Sequence, residues 1–211
     1  MTGSWTIHHG DTLEAHPDIR VPDPHQDTFS RTFLGFWVYL MTDCLLFGTL
    51  FCSYAVFHQE TFGGPSSHDL FSLSTAFTET MILLFSSITC GFAVLSTLKH
   101  KKHDVISWLV ITFLLGVSFV WIELDEFIQF VQEGNSWTRS AFLSSFFTLV
   151  GTHGLHVSFG LLWLIVMVGQ VFLDGITIFT FRRLVLFSLF WHFLDVVWIF
   201  IFTLVYLMGV I

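Results

Sequence analysis

Apolar and polar positions segregate along this chain on the scale of whole segments. Five long apolar runs, at 33–57, 76–98, 106–130, 141–168 and 184–208, are separated by short stretches that hold most of the charges and turn residues. A helix needs roughly 20 mostly apolar residues to cross a hydrocarbon layer, and each run supplies them. The pattern therefore predicts an all-α membrane protein, a bundle of five transmembrane helices. The first link, Gln59 to Thr75, contains the turn residues Gly63, Gly64, Pro65 and Ser66. The second is the basic run Lys99–His100–Lys101–Lys102–His103, the third holds Gly134, Asn135 and Arg139, and the fourth holds Asp174, Gly175, Arg182 and Arg183. No internal repeat is evident, which gives no support to an inverted-repeat transporter plan.

Charge placement orients the bundle. Arg20, Arg31, Lys99, Lys101, Lys102, Arg182 and Arg183 fall on one face of a five-span protein, and Arg139 on the other. Lys and Arg accumulate on the cytoplasmic side, so the N-terminus is expected in the cytoplasm and the C-terminus on the outer, periplasmic side. Residues 1–32 carry acids, histidines and Pro17, Pro22 and Pro24 without the apolar core of a signal peptide. They read as a poorly ordered cytoplasmic tail ahead of one domain at 33–211, and His8, His9, His16 and His25 as solvated tail residues.

Composition agrees with lipid as the main solvent. The chain is 54% hydrophobic and 11% charged, against about 25% charged in soluble domains. The net charge of −8 overstates its acidity towards water. Asp43, Glu79, Glu123, Asp125, Glu126 and Asp195 lie inside or at the edges of apolar runs. Nothing resembles a basic nucleic-acid footprint. Cys44, Cys52 and Cys90 sit in apolar runs without a CxxC pair and read as small fillers.

A charge at the bilayer centre costs roughly 2.5–3.5 kcal/mol on insertion scales, so deep polar groups must face protein. Counting along the runs puts Asp43, His153, His156, His192 and Asp195 near the midplane. His153 and His156 are three apart and share a helix face, and Gly151, Gly154, Ser158 and Gly160 around them allow another helix to come close. The expectation is that Asp43 meets a fourth-run imidazole, and that His192 and Asp195 hydrogen-bond along their own helix. Glu123, about 25 Å above the start of its run, reads as an outer-interface residue. The paired histidines are three apart on one helix, and no Cys, Met or second carboxylate completes a recognisable haem or metal set. The cytoplasmic halves of the runs lack the relays that a proton path needs. Interhelical hydrogen bonding is the preferred role.

These residues also carry a resemblance. Phe190-Trp191-His192-Phe193-Leu194-Asp195-Val196-Val197-Trp198-Ile199-Phe200 resembles the WHFxDVVWxF signature of subunit III of the haem–copper oxidases. Gly151-Thr152-His153-Gly154-Leu155-His156-Val157 is similar to that family's HGLHV element. Glu79-Thr80 with Leu83 to Thr89 resembles its second conserved helix, and Glu126 fits an acidic position before an aromatic residue. The match covers 33–211 in order. Gly35 to Cys44 is similar to the opening helix of the quinol-oxidising, bo-type branch, which has five spans; mitochondrial-type relatives generally have seven, with Glu where Asp43 stands.

The resemblance implies an accessory, non-redox subunit of a proton-pumping terminal ubiquinol oxidase in a bacterial cytoplasmic membrane. Haem and copper are then expected in subunit I, and no cofactor in this chain. Subunit I would be the direct partner, subunits II and IV would share the complex, and phospholipid would lie between helices. Asp43, Glu79, Glu126, His153, His156, His192, Asp195 and Trp198 are the candidates for an interhelical polar core or lipid contacts. Arg182 and Arg183 are candidate lipid-phosphate contacts. The rival readings are subunit III of a menaquinol or cytochrome c oxidase, an independent proton transporter and a haem-bearing anchor.

Overall fold

A computed structural model describes residues 24–57, 73–99, 101–134, 138 and 140–207, with side chains from residue 31 onward. The helices are α1 (Pro24–Phe57), α2 (Leu73–Leu98), α3 (Lys102–Gln132), α4 (Ala141–Asp174) and α5 (Ile178–Ile201), and a π-helical turn, Phe202–Leu207, continues α5. Among the described residues five helices are long and apolar enough to cross a membrane, as the pattern predicts. Residues 1–23 of the polar segment, the first link from 58 to 72 and Arg139 lie outside the described residues.

Several limits differ from the expected ones, because apolarity marks the hydrocarbon crossing whereas capping ends the helix. The α1 helix starts at Pro24, nine residues before the apolar run. Proline is pre-set for a first helical position, and nothing between 25 and 32 breaks a helix. The fourth link shrinks to Gly175–Thr177. Gly175 adopts φ 73°, and its N–H bonds the Val171 carbonyl to close α4. Thr177 opens α5 by accepting the Thr180 N–H at 3.2 Å. Arg182 and Arg183, assigned to that link in the sequence, therefore stand on α5 itself. Ser140 caps α4 in the same way, accepting the Leu143 N–H at 3.1 Å. Lys102 donates from Nζ to the Phe172 carbonyl at 2.9 Å, placing a cation at the C-terminal end of α4, where carbonyls lack helical partners.

Helices α2, α3, α4 and α5 form a ring in which each packs on the next and α5 returns to α2; α1 leans on the outside, against α4 and part of α5. Its buried residues Leu40, Asp43, Phe47 and Tyr54 make one narrow stripe, so α1 has a single protein-facing seam. Large apolar side chains are exposed all round the bundle, among them Leu45, Trp121, Phe159 and Leu173, a surface that suits lipid. Two glycines fix the closest approach. A Cβ on Gly116 would lie 2.7 Å from Leu161 Cδ2, and one on Gly160 would lie 2.9 Å from Trp191 Cζ3. The Trp191 indole occupies the space that both leave, as small residues allow at helix contacts in membranes.

Candidate functional site: polar groups between the helices

Asp43 projects from the buried seam of α1 onto α4. Its Oδ2 lies 3.8 Å from His156 Nε2. The other ring nitrogen of His156, Nδ1, contacts the Thr152 carbonyl at 2.7 Å. A carbonyl only accepts, so Nδ1 carries a hydrogen there and neutral His156 presents a lone pair on Nε2. At 3.8 Å the contact is longer than a hydrogen bond, and Asp43 Oδ2 has no hydrogen-bond partner among the described residues. Phe47, one turn along α1, packs on both histidines, with ring centroids 6.3 Å from His153 and 5.2 Å from His156.

His153 points the other way, into the ring of helices, and is fully buried. Trp198 stacks near it at 5.2 Å and 31°, and Phe119 meets it edge-on at 5.9 Å. Neither ring nitrogen has a hydrogen-bond partner among the described residues.

Acids gather where the first turns of α2 and the last turns of α3 lie. Glu79 on α2 is fully buried and Glu123 on α3 is 4% exposed. All four of their carboxyl oxygens lack a hydrogen-bond partner among the described residues. Glu126, three residues further along α3, is the third acid of this region. Glu126 accepts the Tyr206 hydroxyl at 3.2 Å; Tyr206 is buried and comes from the π-helical turn, a local geometry that recurs at functional positions. Glu123 is thus a correction to the sequence reading. Its height along α3 suggested the outer interface, but its azimuth turns it inward, beneath Gly154 of α4. A Cβ on Gly154 would lie 3.6 Å from Glu123 Oε1.

Between α2 and α5 two indole N–H groups are matched to hydroxyls. Trp191 donates its indole N–H to Ser86 Oγ at 3.0 Å, and Trp198 donates to Thr80 Oγ1 at 3.1 Å. Seven residues separate the two indoles on α5, which is two turns, and six separate their acceptors on antiparallel α2. Beside this ladder, Thr112 on α3 meets Thr89 on α2 at 2.8 Å.

His192 and Asp195 part company, against the expected bond along α5. Asp195 is buried next to the Ser87 hydroxyl. His192 is exposed, and its Nδ1 bonds back to the Ser188 carbonyl at 2.6 Å. Three residues along a helix still turn the side chain by about 60°, enough to cross the edge of the buried face. His192 instead borders an apolar groove of about 350 Å³ between α1 and α5, lined also by Trp37, Met41, Phe193 and Val196. Arg182 is half-buried and Arg183 exposed, both near the start of α5.

Among the described residues, no group of three or more His, Cys, Asp and Glu is arranged to hold a metal ion. Sequence reasoning missed Glu123, Tyr206, Trp191, Thr80 and Ser86 as parts of this layer. One usable signal was present: Trp191 and Trp198 share an α5 face seven residues apart.

Such a molecule is a multi-pass helical membrane protein whose buried ionisable groups, Asp43, Glu79, Glu123, His153 and Asp195, are directed at its own helices. Residues 24–210 match the family described as cytochrome c oxidase subunit III. The cytochrome bo(3) ubiquinol oxidase subunit 3 of Pseudomonas aeruginosa is 52% identical over 196 residues, covering 93% of this chain and 94% of that protein. Its counterpart of the same description in Pseudomonas putida is 53% identical over 185 residues, 88% and 89% of the two chains. The cytochrome c oxidase subunit 3 of Bacillus sp. strain PS3 is 45% identical over 181 residues, 85% and 86% of the two. The chain belongs to the cytochrome c oxidase subunit III family, the subunit III of haem–copper oxidases.

Proposed function

We infer that this chain is the accessory, non-redox subunit III of a proton-pumping terminal ubiquinol oxidase in a bacterial cytoplasmic membrane. The observation that carries the reading is similarity along 93% of the chain to a subunit so described. The geometry supports it: deep polar residues face neighbouring helices, as in Asp43–His156, Trp191–Ser86 and Trp198–Thr80. Haem and copper belong to subunit I, beside which this chain packs, with subunits II and IV completing the complex. Electron transfer and oxygen reduction take place there. This chain supplies a rigid helical wall, with its N-terminus inside and its C-terminus outside by the distribution of Lys and Arg.

Asp43, Glu79, Glu126, His153, His156, Asp195 and Trp198 form the polar core that sets how the helices meet. The apolar α1–α5 groove beside His192 accepts a phospholipid acyl chain, and Arg182 and Arg183 at the cytoplasmic edge face its phosphate. Lipid held there steadies subunit I during turnover.

The test is purification of the oxidase through a tag on this chain, followed by its removal. The tagged chain is expected to bring down a haem–copper subunit. Oxidase lacking it is expected to keep its haems and part of its initial ubiquinol oxidation, with a shorter working life. Immediate complete loss of activity with the haems in place would overturn the accessory role. The relative described as a cytochrome c oxidase subunit favours a second reading of the electron donor, and turnover of the purified complex with ubiquinol or with cytochrome c decides between them.

A further inference from the structure

Three hydrogen-bond donors form a row along α5 and its π-helical end: Trp191, Trp198 and Tyr206. The indoles bond Ser86 and Thr80 of α2, and the phenol bonds Glu126 of α3 at 3.2 Å. The spacing changes along the row. Seven residues separate the indoles, whereas eight separate Trp198 from Tyr206. In an α-helix the seventh residue returns to within about 20° of its start, and the eighth stands about 80° round. A continuous α-helix would therefore turn the phenol out of the row. The π-helical turn, Phe202–Leu207, lies in that interval. Its bonds span one residue more than α-helical bonds, which takes up the surplus residue. The Tyr206 ring accordingly lies 6.3 Å from the Trp198 ring and 6.2 Å from that of Phe146.

The same turn contains a second register. Val205 is the seventh residue after Trp198, the one that an α-helical end would set in the row. It is already fully buried, beside Tyr206 at 1% exposure. Rewinding to an α-helix thus keeps an apolar side chain in the core. The π form is rare and occurs mostly as single turns within α-helices, so a local contact must select it. The Tyr206–Glu126 bond depends on the π register and supplies that contact. On the far side of the turn Thr203 and Leu204 are exposed, and rewinding would swing both.

We propose that the end of α5 is a two-register switch, held in the π form by the Tyr206–Glu126 bond and rewinding to an α-helix when that bond is lost. The device ties what Glu126 bonds inside the bundle to the surface that Thr203 and Leu204 offer outside it. A competing donor at Glu126, or a shift of α3 against α5, releases Tyr206 and turns that surface. Tyr206 is a positioning residue in this scheme. The inference goes beyond the accessory-subunit reading and stands on contacts within this chain.

The experiment measures backbone hydrogen–deuterium exchange at 202–207 by mass spectrometry, in the whole complex purified through this chain. Tyr206→Phe removes only the hydroxyl. Exchange is expected to slow about fivefold, the scale of one net hydrogen bond, because an α-helical end replaces the π turn. A bond that merely tied down a fixed turn would give the opposite sign, since its loss loosens the backbone. Glu126→Gln keeps an acceptor for the phenol and is expected to exchange like the parent. Deleting exposed Leu204 shortens the interval to seven residues. It is expected to slow exchange as well, with Tyr206 still on Glu126 and the subunit retained, and it tests the switch even if Tyr206→Phe folds poorly. Unchanged or faster exchange in Tyr206→Phe, or loss of the subunit on deleting Leu204, would overturn the proposal and leave the accessory role standing.

Discussion

The α2–α5 interface and the surface where α4 meets α1 and α3 treat buried polarity in opposite ways. Along α5, two indole N–H groups meet two α2 hydroxyls at 3.0 and 3.1 Å, so large aromatic volume and polar satisfaction come from the same residues. Around α4, the Asp43–His156 approach is 3.8 Å, longer than a hydrogen bond, and His153 and Glu123 have polar atoms without a hydrogen-bond partner among the described residues. A neutral matched pair rigidifies a helix contact, whereas an unmatched acid or imidazole keeps part of its desolvation cost. The first interface reads as scaffold. The second holds bonding capacity that the bundle itself leaves unused.

The largest test of this contrast is Trp198→Ala. It removes the Thr80 bond and the packing on Phe119 and His153, and should cost about 3–5 kcal/mol, read as a lower midpoint in denaturing-detergent titration. Asp43→Ala leaves the His156 ring without its acidic neighbour and should cost about 1–2 kcal/mol, with faster loss of the subunit from the complex. Unchanged midpoint, assembly and turnover lifetime would remove Asp43 from the polar core. His153→Phe should have the opposite sign, neutral or about 1 kcal/mol stabilising, because an apolar ring replaces one whose nitrogens are unpaired. Destabilisation by the same amount would mean that His153 is partnered in the complex. Ser86→Ala should have the smallest effect, about 0.6 kcal/mol, typical of one interhelical bond in a membrane.

The sequence carried the number and order of the helices, because hydrocarbon thickness imposes a length that composition reveals. It carried the approach of Asp43 to an α4 imidazole, because two deep polar groups on facing helices have few other places to go. It misplaced Glu123 and His192 for one reason: counting along a helix gives height, while burial depends on azimuth, and azimuth is set by neighbours. It did not reveal Tyr206 against Glu126 or Trp191 against Ser86. These partners are 80 and 105 residues apart in the chain, and no local pattern links an indole to one hydroxyl among many. Helix ends were misjudged where Gly175 and Thr177 hold them, beyond or short of the apolar limits.

That three-residue connection has a mechanical result. With Gly175 stopping one rod and Thr177 starting the next, neither can twist or slide far without dragging its companion. Lys102 pins the same corner to the neighbouring rod through the Phe172 carbonyl. Force applied to the outward side of α4 is therefore passed to α5 as motion of a stiff fork, and the indoles on its second prong carry it onward to α2.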